Sequence, residues 1–110
     1  MRYKSIIYIA SLTGHIAASE AYGQLIFEEV ISRITSKKVI LDFVGVDLIT
    51  PTFLNVAVGQ LYGSYTEQFI KKRTAILGLN NEDLAILKRV VDNAKRYFKE
   101  AKNGKNANVQ

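Results

Sequence analysis

The 110-residue chain has no cysteine and no tryptophan, a single histidine and a single proline. Without cysteine there is no disulfide framework, thiolate metal site or cysteine nucleophile. With His15 as the sole imidazole, a multi-histidine zinc or iron centre cannot form within one chain. No apolar run approaches the ~18 residues of a membrane span. The opening Met1-Arg2-Tyr3-Lys4-Ser5-Ile6 lacks a small-residue cleavage site, so no signal peptide is expected. Neither the dinucleotide-binding glycine fingerprint nor the phosphate-loop lysine motif occurs. What is present is 48% hydrophobic and 23% charged residues, a globular balance. The length suits one domain with one modest core, here expected to be cytoplasmic.

The net charge of +5 is unevenly placed. Over residues 15–35 Glu20, Glu28 and Glu29 outweigh Arg33, whereas Lys71, Lys72 and Arg73 form a basic run. Lys88, Arg89, Lys95, Arg96 and Lys99 follow towards the C-terminus. Such a basic half can attract nucleic acid or an acidic protein surface. It is equally the composition of a solvated helix face, and no aromatic platform or helix-turn-helix pattern accompanies it.

The hydrophobic pattern predicts alternating strands and helices. Ile6-Ile7-Tyr8-Ile9-Ala10 is apolar on consecutive positions, which predicts a strand buried on both faces. From Ala17 to Ile34, apolar residues recur at spacings of three and four, predicting a helix that starts near Ser19 and Glu20. Lys38 to Val44 predicts a second buried strand, and strand–helix–strand implies a parallel unit. Thr50-Pro51 reads as a helix start, since threonine caps and proline suits the first helical position. The helix that follows, through Phe53, Val56, Val58, Leu61 and Tyr62, is apolar nearly all round, so it is deeply buried or meets another molecule. Ser64-Tyr65-Thr66-Glu67 has capping-box spacing. Thr74 to Leu79 predicts a third strand, and Asn80 caps a last helix carrying the stripe Leu84, Leu87, Val91, Ala94, Phe98. The expected order is β-α-β-α-β-α over residues 1–102, a single α/β domain with a mainly parallel sheet. Residues 103–110 are expected to form a disordered polar tail. Three strands make a small sheet, so self-association or an added edge strand would help to cover it.

Little here suggests catalysis. Asp42 and Asp47 lie near the ends of a strand, where open α/β sheets place ligands, but no second histidine or glutamate cluster accompanies them. His15 reads as a surface or capping residue. The chain is therefore expected to be non-enzymatic, with no cofactor and no metal. Thr50 and Thr52 at a helix start are more informative: the dipole favours a negative group there, and a phosphorylated threonine would alter the adjacent surface. Either threonine can instead simply cap.

The segment Val39-Ile40-Leu41-Asp42-Phe43-Val44-Gly45-Val46-Asp47-Leu48-Ile49-Thr50-Pro51-Thr52-Phe53-Leu54 resembles the central motif of STAS domains, found in sulfate transporters and anti-sigma-factor antagonists. It is more similar still to a STAS-like family of unknown function that shows Leu-Asp-Phe-x-Gly-Val followed by a Ser/Thr-Phe pair, here Thr52-Phe53. With Thr13-Gly14-His15-Ile16-Ala17 upstream, the resemblance covers about residues 5–65. Position by position, Thr50 stands where antagonists have the aspartate before their phosphorylated serine. Pro51 stands at that serine, Thr52 at the next serine, and Phe53 replaces a glycine. The resemblance implies a regulatory, non-enzymatic interaction module acting in signal transduction. It implies a partner-binding surface made of Asp47, Thr50, Thr52, Phe53 and Val56, with Thr52 as a candidate phosphoacceptor. It also implies a protein partner of the ATP-binding, histidine-kinase-like kind, because such ATPases are often encoded beside or fused to family members. The alternative is a nucleic-acid-associated regulator that uses the basic C-terminal helix.

Overall fold

A computed structural model describes residues 3–108, with side chains through Lys102. Strand β1 (Lys4–Tyr8) runs into a short helix α1 (Ile9–Thr13), then a two-residue strand β2 (Ile16–Ala17) and helix α2 (Glu20–Ile31). Strand β3 (Lys38–Asp42), the short strand β4 (Leu48–Ile49), helix α3 (Pro51–Ala57) and a 3-10 turn (Gly59–Gly63) follow. Helix α4 (Glu67–Arg73), strand β5 (Thr74–Leu77) and helix α5 (Asn81–Asn108) complete the chain. This is a small α/β domain, and its three-stranded sheet is parallel throughout, in the order β1-β3-β5.

Several boundaries follow from capping chemistry. The Ser19 hydroxyl accepts from Tyr22 N at 3.1 Å, which starts α2 as the sequence predicts. Asn80 likewise accepts from Asp83 N at 2.8 Å and opens α5. For α4 the cap is Thr66, bonded by Phe69 N at 3.1 Å, rather than Ser64. The all-round apolar helix is in fact two pieces: α3 ends at Ala57 and the chain tightens into the 3-10 turn. Helix α5 continues to Asn108, past the expected boundary at residue 102; positions 109–110 of the expected tail lie outside the described residues.

The strands step in one direction across the sheet, so right-handed crossovers carry both connections over the same face. Burial agrees. Val39 and Leu41 are fully covered, and Ile7 is 3% exposed. Their neighbours Ile6 and Tyr8 stand 43% and 56% exposed. The expectation that β1 is buried on both faces is thus corrected: its apolar residues alternate between a covered and an open side. The run also ends earlier than expected, because Ile9 and Ala10 turn into α1.

The core lies between the covered face and helices α2 and α3. Phe43, at the end of β3, meets Phe53 of α3 edge-on with ring centroids 6.5 Å apart, which seats the start of α3 over the sheet end. Helices α2 and α3 approach closely at Gly23, where an added Cβ would sit 2.8 Å from both Phe53 O and Val56 Cβ. Helix α5 packs along the 3-10 turn and α3, burying Val90 and Ala94. Replacing Gly23 with alanine should therefore force α2 away from α3 and lower stability by about 1–3 kcal/mol, the usual range for overpacking, measurable by urea unfolding.

Candidate functional site

The residues singled out in the sequence converge on two loops at the carboxyl ends of β1 and β3. The first loop contains α1 and Gly14, whose φ of +76° suits glycine. In the second, Asp42 Oδ1 accepts from Val44 N at 2.9 Å, and Gly45 adopts a φ of +91°. The two loops are laced together. His15 O accepts from Asp47 N at 2.7 Å and Leu48 N at 3.2 Å, and β2 pairs with β4 in parallel, Ile16 beside Leu48 and Ala17 beside Ile49. Alternation then sends Ala17 and Ile49 into the core and leaves Ile16 and Leu48 outside, 53% and 51% exposed.

His15 Nδ1 lies 3.1 Å from Gly45 O and 3.4 Å from Asp47 Oδ2. Both side chains are solvent-facing, so the pair is an exposed clasp between the loops. Asp42 is held by its own loop amide and does not approach Asp47 in any bonded arrangement. Among the described residues no group of three or more histidines, aspartates or glutamates converges at a metal-sized site.

Thr50 has a structural task. Its Oγ1 accepts from Phe53 N at 3.2 Å and donates to Ala18 O at 2.7 Å, so it both caps α3 and ties the elbow to the α2 entrance. Pro51 occupies the first turn, as the sequence predicts. Thr52 is exposed on the next position. Phe53 is fully buried, so its expected place on a partner-binding surface is corrected: helix periodicity turns it under α3, against Phe43. Val56 is half-buried against Gly23 of α2, and Val58 and Leu61 are core residues. The apolar excess of this segment is thus largely consumed by α2, α5 and the sheet. The open side of α3 presents Thr52 and Asn55. A groove of about 320 Å³ adjoins it, lined by Asn55, Gly59, Gln60, Asn93 and Tyr97, with no charged group.

Sequence reasoning missed Ile16 and Leu48, the exposed apolar pair beside the elbow. The signal was present as Ile16-Ala17 and Leu48-Ile49, two short alternations too brief to read as strands without their pairing partner. The basic residues are placed elsewhere, and most are engaged. Lys88 pairs with Asp92 at 3.3 Å, and Lys71 and Lys95 both reach Glu67, at 3.2 and 2.9 Å. Arg73 donates to Ile34 O at 2.8 Å and lies over the Phe69 ring. The hydrogen bonds from Lys95 and Lys71 hold the Glu67 carboxyl below its ordinary range, and the bond to Glu67 raises the Lys95 ammonium. Burial, with Glu67 nearby, raises the Tyr62 phenol. These groups border an open groove of about 730 Å³ between the start of α4 and α5.

Two tests follow from this geometry. Thr50→Ala removes a cap and the loop tie together, and should cost about 1–2 kcal/mol in urea unfolding while leaving far-ultraviolet dichroism unchanged. Glu67 is a carboxylate with a lowered folded-state pKa, so its contribution is complete above the unfolded value and lost as pH falls through the folded one. The difference in Tm between wild type and Glu67→Gln should therefore be present at neutral pH and vanish in acid. A difference that persists in acid would show that the pair is not its source.

A family model described as a STAS-like domain of unknown function (DUF4325) matches residues 22–84, extending further towards the C-terminus than the motif in the sequence suggested. No curated protein and no solved structure matches the chain. The matched stretch holds most of α2, the β3 motif, the elbow and β5, and it covers more than half of the residues. The chain belongs to the STAS-like family of unknown function.

Proposed function

We propose that the chain is a non-enzymatic regulatory module that binds a protein partner through the loops after β1 and β3 and the open side of α3. The single observation that carries this reading is the elbow itself. A pair of laced loops holds Ile16 and Leu48 outward beside the exposed Pro51 and Thr52, flanked by the His15–Asp47 clasp. An apolar centre with a polar rim is the composition of a recognition patch. The backbone bonds that fix it reduce the ordering cost of association. Family membership supports a regulatory interaction role, and an ATP-binding, histidine-kinase-like protein is the partner this reading names.

Asp47, Thr52 and the half-buried Val56 stay in the proposed surface; Ile16, Leu48 and Asn55 join it. Thr50 acts through the position of the elbow, its hydroxyl being committed to Ala18 and Phe53. Thr52 is the candidate phosphoacceptor, since its side chain is exposed at the amide-rich start of α3. A phosphate there adds about −2 charge to the proposed surface and would alter docking. The nucleic-acid alternative draws less support, because Lys71, Lys88 and Lys95 already face carboxylates of their own chain.

Calorimetric titration against a candidate ATP-binding, histidine-kinase-like protein tests the reading. Wild type should bind, and Leu48→Asp and Thr52→Glu should each weaken binding at least tenfold, roughly 1.4 kcal/mol or more, without loss of fold. No binding by wild type, or equal binding by both variants, would remove the proposal.

A further inference from the structure

The open side of the sheet is a separate surface, and its reading does not rest on the one above. Alternation along the strands sends Ile7, Val39 and Leu41 towards the helices. On the other side it places Ile6, Tyr8, Ile40 and Leu77. Ile6, Tyr8 and Leu77 are 43%, 56% and 52% exposed, so among the described residues no element covers this face. All-parallel sheets are almost always covered on both sides, and a contiguous exposed apolar patch marks an interaction site.

The charges at the two ends of that face indicate what fits it. Lys4 and Lys38 stand in register at its amino end, and Asp42, on the same side as Lys38 and Ile40, stands at its carboxyl end. A two-fold axis between two such faces, running across the strands, turns one copy end for end while keeping each strand over its own mate. Lys38 then lies over Asp42 of the second copy, Asp42 over Lys38 of the second copy, and Ile40 over its equivalent. A two-fold along the strands would instead set ammonium on ammonium. The face is therefore complementary to itself in one orientation, as an isologous interface requires. We propose that this open sheet face is a homodimer interface, in which two copies pack with antiparallel strands around Ile6 and Ile40 and close with two reciprocal Lys38–Asp42 ion pairs.

The size of the patch sets the strength. Three strands about 4.8 Å apart and five residues of about 3.3 Å rise give a footprint of roughly 240 Å² per copy. Standard stable interfaces bury about 800 Å² per partner, so this dimer is in rapid exchange and forms as concentration rises.

Sedimentation equilibrium of the full chain at low salt, over a wide concentration range, provides the test. Wild type should show reversible, concentration-dependent dimerisation. Lys38→Glu and Asp42→Lys each set like charges against one another twice, and each alone should weaken dimerisation at least tenfold. Mixing the two variants in equal amounts should restore it, because the new carboxylate at 38 then faces the new ammonium at 42. Asp42→Lys also loses the bond to Val44 N, so Ile6→Glu on the outer strand serves as a second disruptor, with dichroism confirming its fold. A wild type that stays monomeric throughout, a dimer that survives Ile6→Glu, or a mixture no more dimeric than its components would overturn the proposal.

Discussion

The handedness of the two crossovers governs what this molecule can present. Strands added in one direction with right-handed connections put every connecting helix on one side of the sheet. A doubly wound sheet reverses direction and covers both sides; this one does not. From that constraint come the single-sided core, the burial of Val39 and Leu41, and the exposure of Ile6 and Tyr8 on the same strands. It also crowds α2, α3 and α5 into neighbouring positions, and crowding is met by small residues at the contacts. Gly23 lets α3 approach, Gly59 sits beneath α5, and Gly63 leaves room for the Phe98 ring.

The elbow between β4 and α3 illustrates how local chemistry and packing divide the work. Thr50 supplies a cap, Pro51 a preset backbone angle, and Phe53 an anchor against Phe43. These three residues are occupied in holding the turn, which leaves Thr52 as the hydroxyl that faces outward. In the pattern the chain resembles, a serine stands where Pro51 is. Here that position carries no hydroxyl at all, and in the proposed function the candidate phosphoacceptor is the neighbouring Thr52.

Much of the fold was legible in the sequence because it is written in periodicity and capping. Ser19, Thr50, Pro51 and Asn80 lie where their chemistry predicts, and the strand centred on Ile40 is unmistakable from its apolar run. The candidate site was legible in outline, through the Leu-Asp-Phe-x-Gly-Val element and the threonines after it. What could not be read is tertiary in origin. A residue's own pattern does not say which side of a sheet the helices will take, so Ile6 and Tyr8 looked buried. Nor does it say whether a nearly all-apolar helix is surrounded by its own chain, and Val58 and Leu61 were spent internally. Strands β2 and β4 are two residues each and exist only because they find one another across more than thirty positions of sequence.

The lacing of the two loops has a kinetic consequence. His15 O takes two amide protons from the second loop, and Thr50 holds the backbone at Ala18, so the surface around Thr52 is fastened on both flanks. Under the proposed function, a surface so fastened does not have to fold onto its visitor. Encounter with it should be governed by diffusion and orientation rather than by a slow rearrangement, and selectivity among visitors should show in how long each one stays.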